Sequence, residues 1–130
     1  MVKIDTQLAV FLENRPGILA RVCQALAKAT INIVALSILD TVDHAILRMV
    51  VDKPKEAERV LAQLSAVVQE REVVFLDVPN EIGALAKITQ QLAEAGINLE
   101  YAYCAGSTSG GPSGLVLRTN DLEATINALS

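Results

Sequence analysis

A motif that returns after 66 residues constrains this chain more than any other feature. Asn14, Gly17, Leu19 and Ala20 have counterparts in Asn80, Gly83, Leu85 and Ala86. Ile31-Asn32-Ile33 likewise returns as Ile97-Asn98-Leu99. A repeat of that period divides 130 residues into two small units, 1–71 and 72–130, where length alone would suggest one domain. Two cores, with further surface buried against a partner chain, account for a hydrophobic content of 52% in so short a chain.

The order of elements follows from local pattern. Residues 6–12, short, apolar and rich in β formers, read as a buried strand. A helix over about 16–29 puts Leu19, Val22, Cys23 and Leu26 on one face and turns Arg21, Gln24 and Lys28 toward solvent. Strands over 31–39 and 45–51 flank the turn residues Asp40-Thr41-Val42-Asp43, and a helix over about 54–64 carries Ala57, Val60, Leu61 and Leu64 at helical spacing. Residues 66–78 read as one β run in which the last strand of the first unit becomes the first strand of the second. With no Gly, Pro or Ser-rich linker there, the units are expected to be rigidly coupled. A helix over 82–95, strands over 97–105 and 115–118 and a helix over 121–129 complete the chain.

The fold class expected is therefore α+β: two tandem ferredoxin-like βαββαβ units, each an antiparallel sheet with its helices on one face. The second unit lacks its closing strand, and an open sheet edge invites a partner. Met1–Asp5 or a strand of another chain could cover it, and a homodimer is expected.

The repeated turn is the candidate site. Pro16 has a φ suited to a first helical turn, and Gly17 would let another group approach the backbone closely. Unpaired N–H groups at Gly17, Ile18 and Leu19 would receive a carboxylate. Asn14 and Asn32, each offering an acceptor and two donors, could serve both ends of a free amino acid across a subunit or domain interface. As a turn-former or cap residue, one such Asn would be unremarkable. Its recurrence at the same spacing in both units favours a ligand. The candidate ligand-binding residues are thus Asn14, Arg15, Pro16, Gly17, Ile18, Leu19 and Asn32, with Asn80, Gly83, Ala84, Leu85 and Asn98 in the second unit.

Other classes find little support. The net charge is −4, no basic cluster is present, and aromatics make up 3% with no Trp, against a nucleic-acid partner. No run approaches the ~18 apolar residues of a membrane span, and the N-terminus lacks a signal-peptide core, so a cytoplasmic protein is expected. Cys23 and Cys104 read as reduced packing residues. His44, the single histidine, lies in or beside a turn with Asp40 and Asp43 and too few further ligands for a metal. No cofactor, metal or catalytic triad is implied. The stretch 107–114 shares only composition with a phosphate loop and reads as a flexible hairpin connection. Tyr101 and Tyr103 share a strand face and are expected to pack on helices or a partner. Arg15 sits near the position an acylphosphatase would need, but the surrounding turn is not a phosphate cradle.

The Asn14-Arg15-Pro16-Gly17-x-Leu19 turn followed by Ile31-Asn32-Ile33 resembles the ACT domain, a small-molecule-binding regulatory module, in two tandem copies over almost the whole chain. The first copy is similar to the serine-binding regulatory domain of phosphoglycerate dehydrogenase. There the residues matching Asn14 and Asn32 bind the amino acid, but Leu12 stands where that domain has a ligand-binding His. In the second copy the Pro is gone, and Glu81 replaces Arg15. The resemblance implies a non-catalytic regulatory sensor of a free amino acid. The alternative is a ligand-free interaction subunit that docks on a metabolic enzyme.

Overall fold

The structure is a computed structural model that describes residues 2–41, 43–107 and 111–130. Ten elements follow in the order β1 (Val2–Glu13), α1 (Ile18–Lys28), β2 (Ile33–Asp40), β3 (His44–Val51), α2 (Pro54–Gln63), β4 (Val67–Val78), α3 (Ala84–Glu94), β5 (Leu99–Ser107), β6 (Ser113–Thr119) and α4 (Leu122–Leu129). They form two compact units, one of Thr6–Arg71 and one of Glu72–Ser130 together with Met1–Asp5. β1 begins several residues earlier than the apolar pattern suggests, because Lys3 and Asp5 are compatible with a half-exposed strand. Val2 packs against the second unit's core, and the Lys3 ammonium lies 5.7 Å from the centre of the Phe75 ring. The run over 67–78 is one continuous twelve-residue strand.

In the Thr6–Arg71 unit, β3 pairs antiparallel with both β1 and β2. Alternate residues Leu8, Val10 and Leu12 of β1 and Leu47, Met49 and Val51 of β3 face the helices, where they meet Val22 and Leu26 of α1 and Ala57 and Leu61 of α2. α1 starts at Ile18, later than expected, and Pro16 lies in the turn ahead of it. The helix stops where Thr30 turns left-handed at φ 62°, letting the Ile31 N–H reach the Leu26 carbonyl at 2.9 Å. Lys55 of α2 ties to Glu70 of β4 at 3.0 Å. The hydrogen bond from Lys55 holds the Glu70 carboxyl below its usual range, while desolvation and the neighbouring Glu70 push Glu58 up.

In the second unit β6 pairs antiparallel with β4 and β5, and Val74, Leu76, Leu115 and Leu117 face Ile88 and Leu92 of α3. α3 ends in the same way, with Gly96 at φ 70° and the Ile97 N–H on the Leu92 carbonyl at 2.9 Å. α4 has a side-chain cap, Asp121 accepting from the Ala124 N–H at 3.0 Å.

Several expectations need correction here. Cys104 pairs with Leu115 on the helix-side face, yet it is exposed. Tyr101 and Tyr103 do share a face, with ring centroids 6.5 Å apart. It is the face away from the helices, because their cross-strand partners are Arg118 and Val116, which excludes packing on the helices and leaves a partner chain as the other expected contact. Of the stretch read as loop, Ser107 closes β5 and Ser113 and Gly114 open β6, with 111–112 outside both strands; 108–110 lie outside the described residues, as does Val42 of the turn.

Gly114 is fixed by packing. A Cβ there would lie 2.7 Å from both the Ala105 Cβ and the Phe75 Cζ. Gly114→Ala is therefore expected to destabilise the protein by about 1–3 kcal/mol through overpacking, measured as a drop in the urea midpoint. Adding Phe75→Leu, which removes the offending ring carbon, should recover part of the loss.

Candidate functional site

Four helices start in the described chain, and they start in two ways. α2 and α4 carry acidic residues in their first turns, Glu56 and Glu123, and α4 has the Asp121 cap as well. α1 and α3 follow the repeated motif and have neither. Each is preceded by a left-handed glycine, Gly17 at φ 84° and Gly83 at φ 85°, with no side-chain cap and no acid in the first turn. The glycine serves this positive φ; a Cβ at either position would meet nothing within 4 Å, so close approach by another part of the chain is not what requires it.

The local hydrogen bonds leave a defined set of donors. Arg15 N–H bonds the Glu13 carbonyl at 3.1 Å, Ile18 N–H the Arg15 carbonyl at 3.4 Å, and Arg21 N–H the Gly17 carbonyl at 3.0 Å. Among the described residues the N–H groups of Leu19 and Ala20 have no acceptor. In the second unit Ala84 bonds Glu81 at 3.3 Å and Lys87 bonds Gly83 at 3.0 Å, leaving Leu85 and Ala86 likewise open. Two adjacent unpaired donors at the positive end of a helix dipole attract an anion.

Beside the first of these helix starts lies a cavity of about 220 Å³. Asn14, Arg15, Gly17 and Leu19 line its turn side, and Ile38, Ala45 and Leu47 its sheet side. The Asn14 side-chain amide donates to the Asp40 carboxylate at 2.5 Å, which fixes the amide and leaves its oxygen free to accept. Sequence reasoning treated Asp40 only as a turn former. Its contact with Asn14 spans 26 residues and depends on β2 ending beside the turn, which no local pattern reveals. The equivalent position in the second unit is Gly106, so Asn80 lacks this partner.

Asn32 is not brought to the same place. Register pairs Ile33 with Val51 and Asp40 with Ala45, while Glu13 pairs with His44. The start of β2 is thus at the opposite end of the sheet from Asn14, roughly 25 Å away along the strand. The Asn32 N–H bonds the Asp52 carboxylate at 2.9 Å, and Asn98 repeats the arrangement with Asn120 at 3.2 Å. The expected clasp of Asn14 and Asn32 is not made within a unit. Among the described residues no cluster could hold a metal ion, and no helix is long and apolar enough to cross a membrane.

Comparison with known proteins agrees with this architecture. The family model described as an ACT domain pair matches residues 3–129. A crystal structure of a protein from Bacteroides thetaiotaomicron is 34% identical, with a TM-score of 0.90 over 98% of this chain and 88% of that one. The ligand-free regulatory subunit of aspartate kinase from Thermus thermophilus has a TM-score of 0.70 at 23% identity, covering 98% of this chain and 93% of that one. Aspartate kinase from Synechocystis is 25% identical with a TM-score of 0.58, over 99% of this chain but 26% of its own. No curated protein matches. The repeated glycine-capped helix starts and the match over nearly the whole length place the chain in one family: it belongs to the ACT domain pairs.

Proposed function

We propose that the chain is a non-catalytic, cytoplasmic regulatory protein that binds a free amino acid at the Asn14–Leu19 turn. The observation that carries this reading is the contrast among helix starts: among the described residues, those of the repeated motif alone lack both cap and acid, leaving N–H pairs open to a carboxylate from outside. Leu19 and Ala20 receive the carboxylate. The Asn14 amide oxygen and the adjacent Asp40 carboxylate face the ammonium, and the wall of Ile38, Ala45 and Leu47 takes the side chain. The second turn, with Asn80, Gly83, Ala84 and Leu85, has the donors without the Asp40 partner and binds more weakly.

The protein works as a homodimer in this reading. Leu36 and Ile38, which share one face of β2, are 39% and 47% exposed, an apolar pair suited to cover by a second copy. Asn32 and Asn98, remote from their own turns, would contribute from a neighbouring chain. Ligand occupancy then shifts the assembly by its differential affinity for two arrangements.

The test is an NMR titration with each of the twenty amino acids, read at assigned backbone amides. At least one should move Leu19 and Ala20 with saturation. If none perturbs Leu19, Ala20, Leu85 or Ala86, the sensor reading fails and the interaction-subunit alternative takes its place.

A further inference from the structure

We propose a second ligand site in the Thr6–Arg71 unit, adjoining the turn cavity through Leu12, Arg15 and Ile18, that binds an acidic amino acid. A cleft of about 180 Å³ lies between the end of β1, the first turns of α1 and the segment after α2. That is six times the ~30 Å³ share of a liquid water, enough for one small molecule. Its floor is apolar, formed by Phe11, Ile18, Val22 and Leu64, and its rim carries Glu13, Arg15, Arg21 and Ser65.

The rim charges match one chemistry. The Arg15 Nε donates to the Glu13 carboxylate at 3.1 Å, which leaves the terminal nitrogens of that guanidinium available. The Arg21 guanidinium and the Ser65 hydroxyl have no hydrogen-bond partner among the described residues. Two guanidinium forks above one apolar floor fit two carboxylates joined by methylenes, because each fork can bind a carboxylate bidentately. Glu13 faces the remaining charge, an ammonium. Three charged rim groups thus meet the three charged groups of an acidic α-amino acid.

The repeat supplies an internal control. The matching cleft of the second unit, about 260 Å³, has Glu81 where the first has Arg15 and Lys87 where the first has Arg21, and it adds Asp77. The first cleft carries two guanidinium groups and one carboxylate, whereas the second has an acid in place of one guanidinium and a Lys, without the planar fork, in place of the other, so it lacks the pair of forks that two carboxylates need. One acidic amino acid per chain is the expected stoichiometry. Arg15 and Ile18 line this cleft and the turn cavity alike, whereas Asn14, Leu19 and Ala20 line only the turn cavity and Arg21 and Ser65 only the cleft, so those residues tell the two sites apart.

The experiment is a titration of the full chain with L-glutamate at fixed ionic strength, by calorimetry and by NMR. Saturable binding of one equivalent is expected, with shifts at the Arg21 side-chain N–H and the Ser65 amide. Arg21→Gln, at an exposed helix position, should weaken binding at least tenfold. Arg21→Lys, which keeps the charge but loses the fork, should fall between the two. Glutarate, which is L-glutamate without its ammonium, should bind more weakly than L-glutamate. Absence of saturable binding, or equal affinity in Arg21→Gln, overturns the proposal. So do shifts confined to Leu19 and Ala20, which would instead assign the ligand to the turn.

Discussion

Leu47→Ala is expected to lower the unfolding free energy by about 3 kcal/mol. Leu47 is fully buried in the middle of β3, on the face that meets the helices. Register places it between Val10 of β1 and Ile38 of β2, so its neighbours are held by strand pairing on both sides and cannot close over a void. Truncation removes the transfer free energy of the lost methyl and methylene groups and leaves a cavity beside them, which together set the estimate. With a urea m-value of about 2 kcal/mol per molar, the midpoint should fall by roughly 1.5 M at unchanged slope. A loss below about 1 kcal/mol would mean that the site collapses freely, against the packing described.

The same substitution probes the turn cavity, since Leu47 also forms its sheet-side wall. Space opened at Leu47 enlarges the existing 220 Å³ cavity. The variant should then accept a bulkier amino-acid side chain than the parent. Stability and ligand shape are thus coupled through one residue, which follows from siting the cavity where the first strand hands over to the helix.

Much of this was legible from the chain because the signals were local. The repeated Asn, Gly, Leu and Ala marked both helix starts, and helical spacing at Val22, Leu26, Ala57 and Leu61 located the residues that are buried. What escaped was long-range. The pairing of Asp40 with Asn14 and the separation of Asn14 from Asn32 both follow from β2 running antiparallel to β3, a register that no residue near either asparagine announces. Gly114 looked like loop chemistry because it follows Gly110-Gly111-Pro112-Ser113, whereas the Phe75 ring across the sheet is what forbids a side chain there. The place of Val2 in the second core was hidden for the same reason, since a contact spanning most of the chain leaves no periodic trace.

An amino acid held at the turn by the folded state alone is expected to add about 2.7 kcal/mol of stability when present at ~100 times its dissociation constant. For a chain of this size that is roughly a 10 °C rise in melting temperature. Asn14→Ala should remove most of the rise by deleting the acceptor that faces the ammonium, with little effect on the unliganded protein, because Asn14 is exposed and its bond to Asp40 lies at the surface. Asp40→Ala should remove at least as much, since it deletes the charged acceptor that faces the ammonium and frees the Asn14 amide as well. Gly17→Ala combines two effects: forcing φ 84° on a residue with a Cβ costs about 1–2 kcal/mol in the free protein, and any relief of that strain turns the Leu19 and Ala20 N–H groups away from the ligand. Asn32→Ala separates the oligomeric reading from a self-contained one. If Asn32 serves a turn on a neighbouring chain, its loss abolishes the ligand-dependent rise although it sits at the far end of its own sheet; an unchanged rise removes it from the site and leaves the first-unit turn to bind alone.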